Sequence, residues 1–274
     1  MLDSPAAVAG KVVAVWRYPV KSMMGEELNA SWVAENGLVG DRAFALIDVE
    51  TGKAASAKNP RRWPNLFEFR AAYVEPPRDE QSLPAVRITL PDGESLTTDQ
   101  ADVGSQLSAA LGRTVRLARS APAGVAAEGY WPDHDWLDQR DEVFEFPLPP
   151  GTFFDCAAVH LVTTATLDRL RALSPASRFE VPRFRPNFVI QSPRESEGFM
   201  ENDWIGRTLG LGEVTLRIDE PCPRCVMTTL PQGSLPHDPN VLRTAVQGNQ
   251  SNVGVYATVI RGGRVRRGDV GELS

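Results

Sequence analysis

Cysteine is scarce in this chain, with three residues in 274, at Cys156, Cys222 and Cys225. Three thiols build no disulfide framework, which points to a reducing compartment and a cytoplasmic protein. Long apolar runs are missing as well. No stretch approaches the roughly 20 apolar residues of a membrane span. The N-terminus, MLDSPAAVAGKVVAVW, lacks a basic segment followed by a long apolar one. Positive charge is in deficit: 29 Lys and Arg against 35 Asp and Glu give a formal charge of -6. That balance argues against nucleic acid as a partner and fits docking to a basic protein. Histidine is confined to His134, His160 and His237. They show no paired spacing, so all three read as structural. Internal repeats and low-complexity tracts are also lacking.

What is present favours strands. Gly and Pro, 22 of each, suit turns and a β-rich fold better than a helix bundle. The length allows one large or two modest domains. Polar–apolar alternation predicts strands over Lys11–Trp16, Ala43–Asp48, Val86–Leu90 and Thr114–Leu117. Asp102–Leu111 reads as a helix, with Val103, Leu107 and Leu111 on one face and Gly112 ending it. From Ser120 to Gly151 the pattern dissolves, and residues 121–150 read as an irregular linker or lid carrying Tyr130, Trp131 and Trp136. Further strands are expected over Ala157–Val162, Phe188–Gln191, Val214–Ile218 and Val253–Ile260. A helix over Thr166–Leu173 should be capped by Thr163 or Thr164. The expected division is residues 8–120, a linker 121–150, and residues 151–274.

The segment Pro221-Cys222-Pro223-Arg224-Cys225 concentrates the chemistry. A zinc ribbon would need four ligands, usually two such cysteine pairs, and only Cys156 and scattered histidines remain. A thioredoxin-type pair opens a helix, whereas Thr228-Thr229-Leu230-Pro231-Gln232-Gly233 is poor helix material. Two inert buried thiols form the plain alternative. The remaining reading is a single soft thiolate ligand for a metal, with Arg224 beside it as a planar donor for an anion.

Four motifs, in order along nearly the whole chain, resemble those of the MOSC family. They are Tyr18-Pro19-Val20-Lys21-Ser22, Gly40-Asp41-Arg42, Phe184-Arg185-Pro186-Asn187-Phe188, and Cys222-Pro223-Arg224-Cys225. Within that family the chain is similar to the mitochondrial amidoxime reducing component and YcbX-type proteins. The resemblance implies a mixed, β-rich α+β fold. An N-terminal MOSC-type β-barrel domain would pack on a C-terminal MOSC β-barrel domain, with a cofactor cleft between them. It implies Mo-molybdopterin as cofactor, with Cys225 as the metal ligand and Pro223 and Arg224 lining the site. Lys21, Ser22, Arg42, Arg185 and Tyr256 match further cofactor-contacting positions. Asp155-Cys156-Ala157 stands where the family carries Asp-Thr-Ser, so two hydroxyls are replaced here. Elementary chemistry agrees. A phosphate-bearing dithiolene needs several cations in one pocket, and Lys21, Arg42, Arg185 and Arg224 would supply them.

The implied activity is reduction of N-hydroxylated compounds: hydroxylamines, amidoximes and N-hydroxylated bases. Cys225 would be central, with Asp155 and Asn187 as candidates for proton relay. The cysteine spacing of a plant-type [2Fe–2S] centre is missing from this sequence. Electrons are therefore expected from a separate protein: a ferredoxin, a flavodoxin or a cytochrome b5-like reductase system. Trp131–Asp141, aromatic and acidic, would form part of the docking rim. The alternative is a sulfur carrier or sulfurtransferase, or a carrier of the cofactor, using Cys225 beside Arg224.

Overall fold

Period-two runs do become strands, but they pair out of chain order. In the computed structural model, which describes residues 7–194 and 196–274, seven strands close a barrel. Around it run Phe188–Gln191, Val159–Thr163, Asn252–Arg261, Val214–Pro223, Thr208–Leu211, Val270–Leu273 and Ala7–Arg17, which pairs back onto Phe188–Gln191. All steps are antiparallel except Val159–Thr163 against Phe188–Gln191. A parallel step requires a crossover, and the helices Thr164–Leu173 and Val181–Phe184 lie within it. Thr163 caps the first of these, its side chain accepting from the Thr166 amide at 3.2 Å. Val12, Val15, Leu161, Phe188, Ile190, Leu216 and Val255 fill the barrel and are fully buried.

A second strand-rich body surrounds another core, built on Met23, Leu46, Phe69, Ile88 and Leu107. Phe44–Asp48 pairs there with Val115–Arg119, and Arg70–Tyr73, Val86–Thr89 and Ser95–Thr97 form a small sheet. The predicted helix spans Val103–Leu111 and ends on Gly112 in the left-handed conformation (φ 65°), where glycine carries no Cβ penalty. The strand Ala7–Arg17 belongs by order to residues 8–120, yet its hydrogen bonds are made in the barrel.

Two elements differ from expectation. Residues 121–150 are not wholly irregular: Ala126–Trp131 and Glu142–Pro147 form a hairpin with six residue pairs. One face carries Glu128, Tyr130, Val143 and Glu145, its glutamates paired with Lys53, and the other Gly129, Trp131, Phe144 and Phe146, so the alternation hides behind acidic composition. The second is the helix Asn240–Asn249, which buries Val241, Leu242, Thr244 and Ala245; Asp238 caps its start, its carboxylate accepting from the Asn240 amide at 3.0 Å. No described helix is long and apolar enough to cross a membrane.

The two bodies are welded by the segment after Cys225. Met227 enters the core of the first body, and Cys225 and Leu230 pack against it. Arg183, wholly buried, holds this segment from the barrel side. Its guanidinium donates to the carbonyls of Arg178, Thr228, Leu230 and Pro236 at 2.8, 3.0, 3.3 and 2.8 Å. Removing it leaves several buried acceptors unmet, each costing about 1–3 kcal/mol. Arg183→Ala should therefore lower unfolding free energy by about 3 kcal/mol or more in denaturant titration. A loss inside the error of measurement would show that water satisfies those carbonyls.

Candidate functional site

A cavity of about 270 Å³ lies where the two bodies meet. Lys21, Ser22 and Arg42 reach it from the first body, and Asp155, Cys156 and Ala157 from the segment entering the barrel. Arg185 and Asn187 come from the end of the crossover, Pro223, Arg224 and Cys225 from the end of a barrel strand, and Tyr256 from the strand beside it. The structure thus brings all twelve residues singled out in the sequence to one cavity. Sequence reasoning missed Lys58, Phe144, Phe153 and Phe154; it read His160 as structural and Trp131 as part of the docking rim, and both line the cavity. The Ala-Ser-Ala-Lys run before Asn59 carries no pattern that would have singled out Lys58.

Five cationic side chains and one carboxylate line this cavity, in a chain of formal charge -6. Asp155 is the centre of the cation set. One carboxylate oxygen pairs with Lys21 and the other with Lys58 at 3.0 Å. Lys21 also donates to the Phe153 carbonyl at 3.0 Å. Burial alone would raise the Asp155 pKa, but Lys21 and then Lys58 outweigh it and hold the carboxyl far below its usual range. Burial lowers the Lys21 pKa, and Asp155 opposes that shift. For Lys58, Asp155 and Cys225 outweigh the effect of burial and raise the pKa. Ser22 positions Lys58 from below, its hydroxyl accepting from the Ala57 amide at 3.0 Å.

The arginines converge around Tyr18. Its ring lies between the guanidiniums of Arg42 and Arg185, 4.4 and 4.2 Å from the centroid. Such stacking attracts each cation electrostatically. Arg42 pairs with Asp41 and donates to the Arg185 carbonyl at 3.3 Å. Arg185 donates to the Met23 carbonyl at 2.8 Å, and burial, then repulsion from Arg42, pushes its pKa down to about 10. Ser22, Arg42 and Arg185 all adopt left-handed backbone, at φ 64°, 46° and 53°. Each such residue costs on the order of 1–3 kcal/mol, and such strain concentrates at functional sites.

The cysteine pair divides. Cys222 is fully buried on its strand, and Arg224 donates to its sulfur at 2.6 Å. Cys225 is partly exposed and opens the short helical turn Val226–Thr229. Arg224 also donates to the Phe184 carbonyl at 2.9 Å, while its Nε is buried without a partner. Cys156 is exposed, with its thiol pKa raised, chiefly by burial of the sulfur. Tyr256 is half-buried; burial first, and then its neighbour Cys222, raises the pKa of its phenol.

Asn187 is fully engaged. Its side chain accepts from the His160 amide at 3.0 Å and donates to Asp41 at 2.9 Å and the Trp16 carbonyl at 3.3 Å. His160 lies against Gly254, where a Cβ would collide with the imidazole and with the Leu161 carbonyl.

Comparison with known proteins fits this geometry. The MOSC N-terminal beta barrel domain matches residues 9–132, and the MOSC domain matches residues 149–272. The chain belongs to the MOSC family. It is 25% identical over 242 residues to mitochondrial amidoxime reducing component 2 of Rattus norvegicus, covering 81% of this chain and 67% of that protein. Against the Bos taurus protein of the same name it is 25% identical over 245 residues, covering 81% and 66%. The chain thus spans about two thirds of the length of these relatives. Among solved structures, the YUAD protein from Bacillus subtilis matches over 96% of this chain and 94% of its own, at 11% identity and a TM-score of 0.48. YiiM from Escherichia coli matches over 43% and 54%, at 19% identity and a TM-score of 0.33.

MOSC domains are associated with the molybdenum cofactor, and the donor set here fits such a group. Its cations suit a phosphate, and the unpartnered Arg224 Nε is a buried donor awaiting an acceptor. Among the described residues no three His, Cys, Asp or Glu side chains cluster to hold a metal. A metal bound by Cys225 would therefore take its other ligands from a small molecule, as a dithiolene provides. Cys156 and Ala157 offer no hydroxyl to this cavity, and the Ser22 oxygen already accepts from backbone.

His160 borders this cavity as a neutral imidazole. Burial, and secondarily Arg224, pushes its pKa down from 6.5 to about 3. Between those values the unfolded chain binds more protons than the folded one, so stability falls as pH drops from about 6.5 toward 3. Replacing the residue, His160→Gln, should flatten that acid limb in denaturation midpoints measured across the window. An equally steep limb in the variant would assign the acid sensitivity elsewhere.

Proposed function

We propose that this protein is a molybdenum-cofactor-dependent reductase of N-hydroxylated compounds: hydroxylamines, amidoximes and N-hydroxylated bases. One observation carries the reading. An accessible thiol, Cys225, shares a single cavity with five cations. The named relatives, amidoxime reducing components, support the reaction class.

When bound, the cofactor supplies a redox-active metal able to accept oxygen from an N–OH group. Cys225 would give that metal its protein ligand. Arg224, Arg185 and Arg42 would clamp the anionic part of the group with planar forks. Lys21 and Lys58 add point charges, fixed in place by Asp155. Pro223, Cys156, Ala157, Ser22 and Tyr256 complete the wall. Asp155 is held as an anion and Asn187 is spent on backbone and Asp41, so their part is to position rather than to relay protons. The net reaction consumes two electrons and two protons for each N–OH converted to N–H and water.

The electrons come from a separate redox protein, whether ferredoxin, flavodoxin or a cytochrome b5-like reductase system. Of the expected rim Trp131–Asp141, Trp131 lines the cavity, and the docking surface is the connector, residues 132–141, where Asp133, Asp135 and Asp138 are exposed. A basic patch on the donor would be steered to it.

Protein from a molybdenum-replete host should carry near-stoichiometric metal and reduce N-hydroxycytosine with dithionite. Cys225→Ser should lose the metal and at least roughly a hundredfold in turnover. Cys222→Ala, at a sealed position, should retain most of both. Full metal loading without turnover would defeat the reading, and a persulfide on Cys225 without metal would favour a sulfur carrier. Neutralising Asp133, Asp135 and Asp138 to Asn should slow donor-dependent turnover several-fold, most at low salt, and spare the dithionite reaction. Equal slowing in both assays would place the donor elsewhere.

A further inference from the structure

The hairpin Ala126–Trp131/Glu142–Pro147 has two unlike faces. One is pinned to the first body by polar contacts. Lys53 pairs with Glu128 at 2.7 Å and Glu145 at 2.6 Å, and Asn59 donates to Glu128 at 2.9 Å. Arg61 lies over the Tyr130 ring, 4.1 Å from its centroid, and pairs with Asp141. With that face anchored, the opposite face is held toward the cavity.

That opposite face is a row of rings. Trp131 and Phe144 stack with centroids 5.1 Å apart and planes 27° apart. Phe144 is followed by Phe146 at 6.1 Å, and Lys58 stands 4.6 Å above Phe146. Gly129 is opposite Phe144 across the hairpin, and a Cβ there would collide with the ring, so Phe144 lies flat against bare backbone. Trp131 and Phe144 both line the cavity and stay half-exposed, whereas Phe153 and Phe154 on the same wall are buried. Rings held open at a cavity mouth forgo burial energy that a closed core would recover. A flat ligand surface would recover it.

We propose that Trp131 and Phe144 form a stacking shelf for a planar aromatic or heteroaromatic ring bearing the N–OH group. The shelf makes the site select flat N-hydroxylated bases over small aliphatic N-hydroxy compounds. This rests on the reductase reading above. Every base has a π face, so the shelf reads flatness and aromatic area rather than a hydrogen-bond pattern. The adjoining cations hold the anionic cofactor, and the half-exposed rings are left for the ligand that must enter and leave.

The test separates binding from turnover. Cytosine, the parent base without an N–OH to reduce, is titrated calorimetrically into the metal-loaded protein. Trp131→Ala and Phe144→Ala should each weaken binding roughly tenfold, in keeping with the loss of one stacking contact. Trp131→Phe should restore most of it. In dithionite-driven assays the same Ala variants should raise KM roughly tenfold for N-hydroxycytosine and leave hydroxylamine unchanged. Molybdenum content should match the parent throughout. The shelf is overturned if the parent protein does not bind cytosine, if the Ala variants bind it equally well, or if both substrates suffer alike. It is also overturned if metal content falls with the rings, which would make them part of the cofactor's seat. Should the parent protein reduce no N-hydroxylated compound, the reductase reading fails while the cytosine titration still decides the shelf.

Discussion

Holding like charges together is the constraint on which the rest of this structure depends. Five cations around one small cavity repel one another, and burial strips them of the water that would screen them. Each has therefore been given fixed partners. Asp155 divides its two oxygens between Lys21 and Lys58. Arg42 and Arg185 share the face-on quadrupole of Tyr18 and donate to carbonyls. Arg224 spends two nitrogens on Cys222 and Phe184 and keeps a third unpaired. The partners compensate most of the charge without cancelling it. What is left is an excess of positive potential with its donors already oriented, the arrangement an anion binds with little further ordering.

That arrangement determines how the two bodies must join. The cations come from both, so the cavity exists only if the bodies keep register. The chain secures this in three ways. Ala7–Arg17 is hydrogen-bonded in the barrel and runs straight into Tyr18, whose amide donates to Asp41 of the first body at 2.7 Å. Asn187 ties Asp41 to the barrel backbone. Met227 is buried in the core of the first body although the strand that leads to it, Val214–Pro223, belongs to the barrel. The left-handed backbone at Ser22, Arg42 and Arg185 falls at these same junctions. Strain is tolerated there because tertiary contacts on both sides over-determine the path.

Much of this was legible in the sequence, for identifiable reasons. Strand positions followed from alternation, because barrel strands are buried on one face: Lys11 is exposed while Val12 is sealed. The helix Val103–Leu111 followed from spacing and a terminal glycine. Eleven of the twelve site residues were legible through the resemblance of their motifs and positions to the MOSC family and Asn187 through its place in one of those motifs, whereas the residues alone pointed only to the Cys222–Cys225 segment. Lys58 was not legible, since its role comes from a distant partner, Asp155, that spacing cannot reveal. The hairpin at Ala126–Pro147 was obscured because one face carries glutamates whose partner, Lys53, is distant in sequence, and the other mixes glycine with rings. The helix Asn240–Asn249 was missed although Asp238-Pro239 marks its start, because the polar residues among its buried Val241, Leu242 and Ala245 blur the apolar spacing.

The Cys-Pro-Arg-Cys segment shows how one motif acquires two unlike thiols. Val214–Pro223 turns Val214, Leu216 and Ile218 inward, its register shifts between Ile218 and Glu220, and Cys222 is buried again beyond the shift. The ladder ends at Pro223, a residue with no amide to donate. Beyond it the chain is tied by the Arg224 amide to the Ser251 carbonyl at 2.9 Å, which carries it off the strand. Cys225 then sits in extended backbone at the start of Val226–Thr229, its carbonyl accepting from Thr228. Three residues after a sealed thiol, the chain thus exposes a second one to the cavity. A chelating pair would need both sulfurs to face one point, and a helix-opening pair would need a longer helix than four residues. A strand that ends between the two cysteines meets neither condition. It leaves a single sulfur facing a positively charged cleft, with Arg224 between the two thiols to orient whatever anion that sulfur helps to hold.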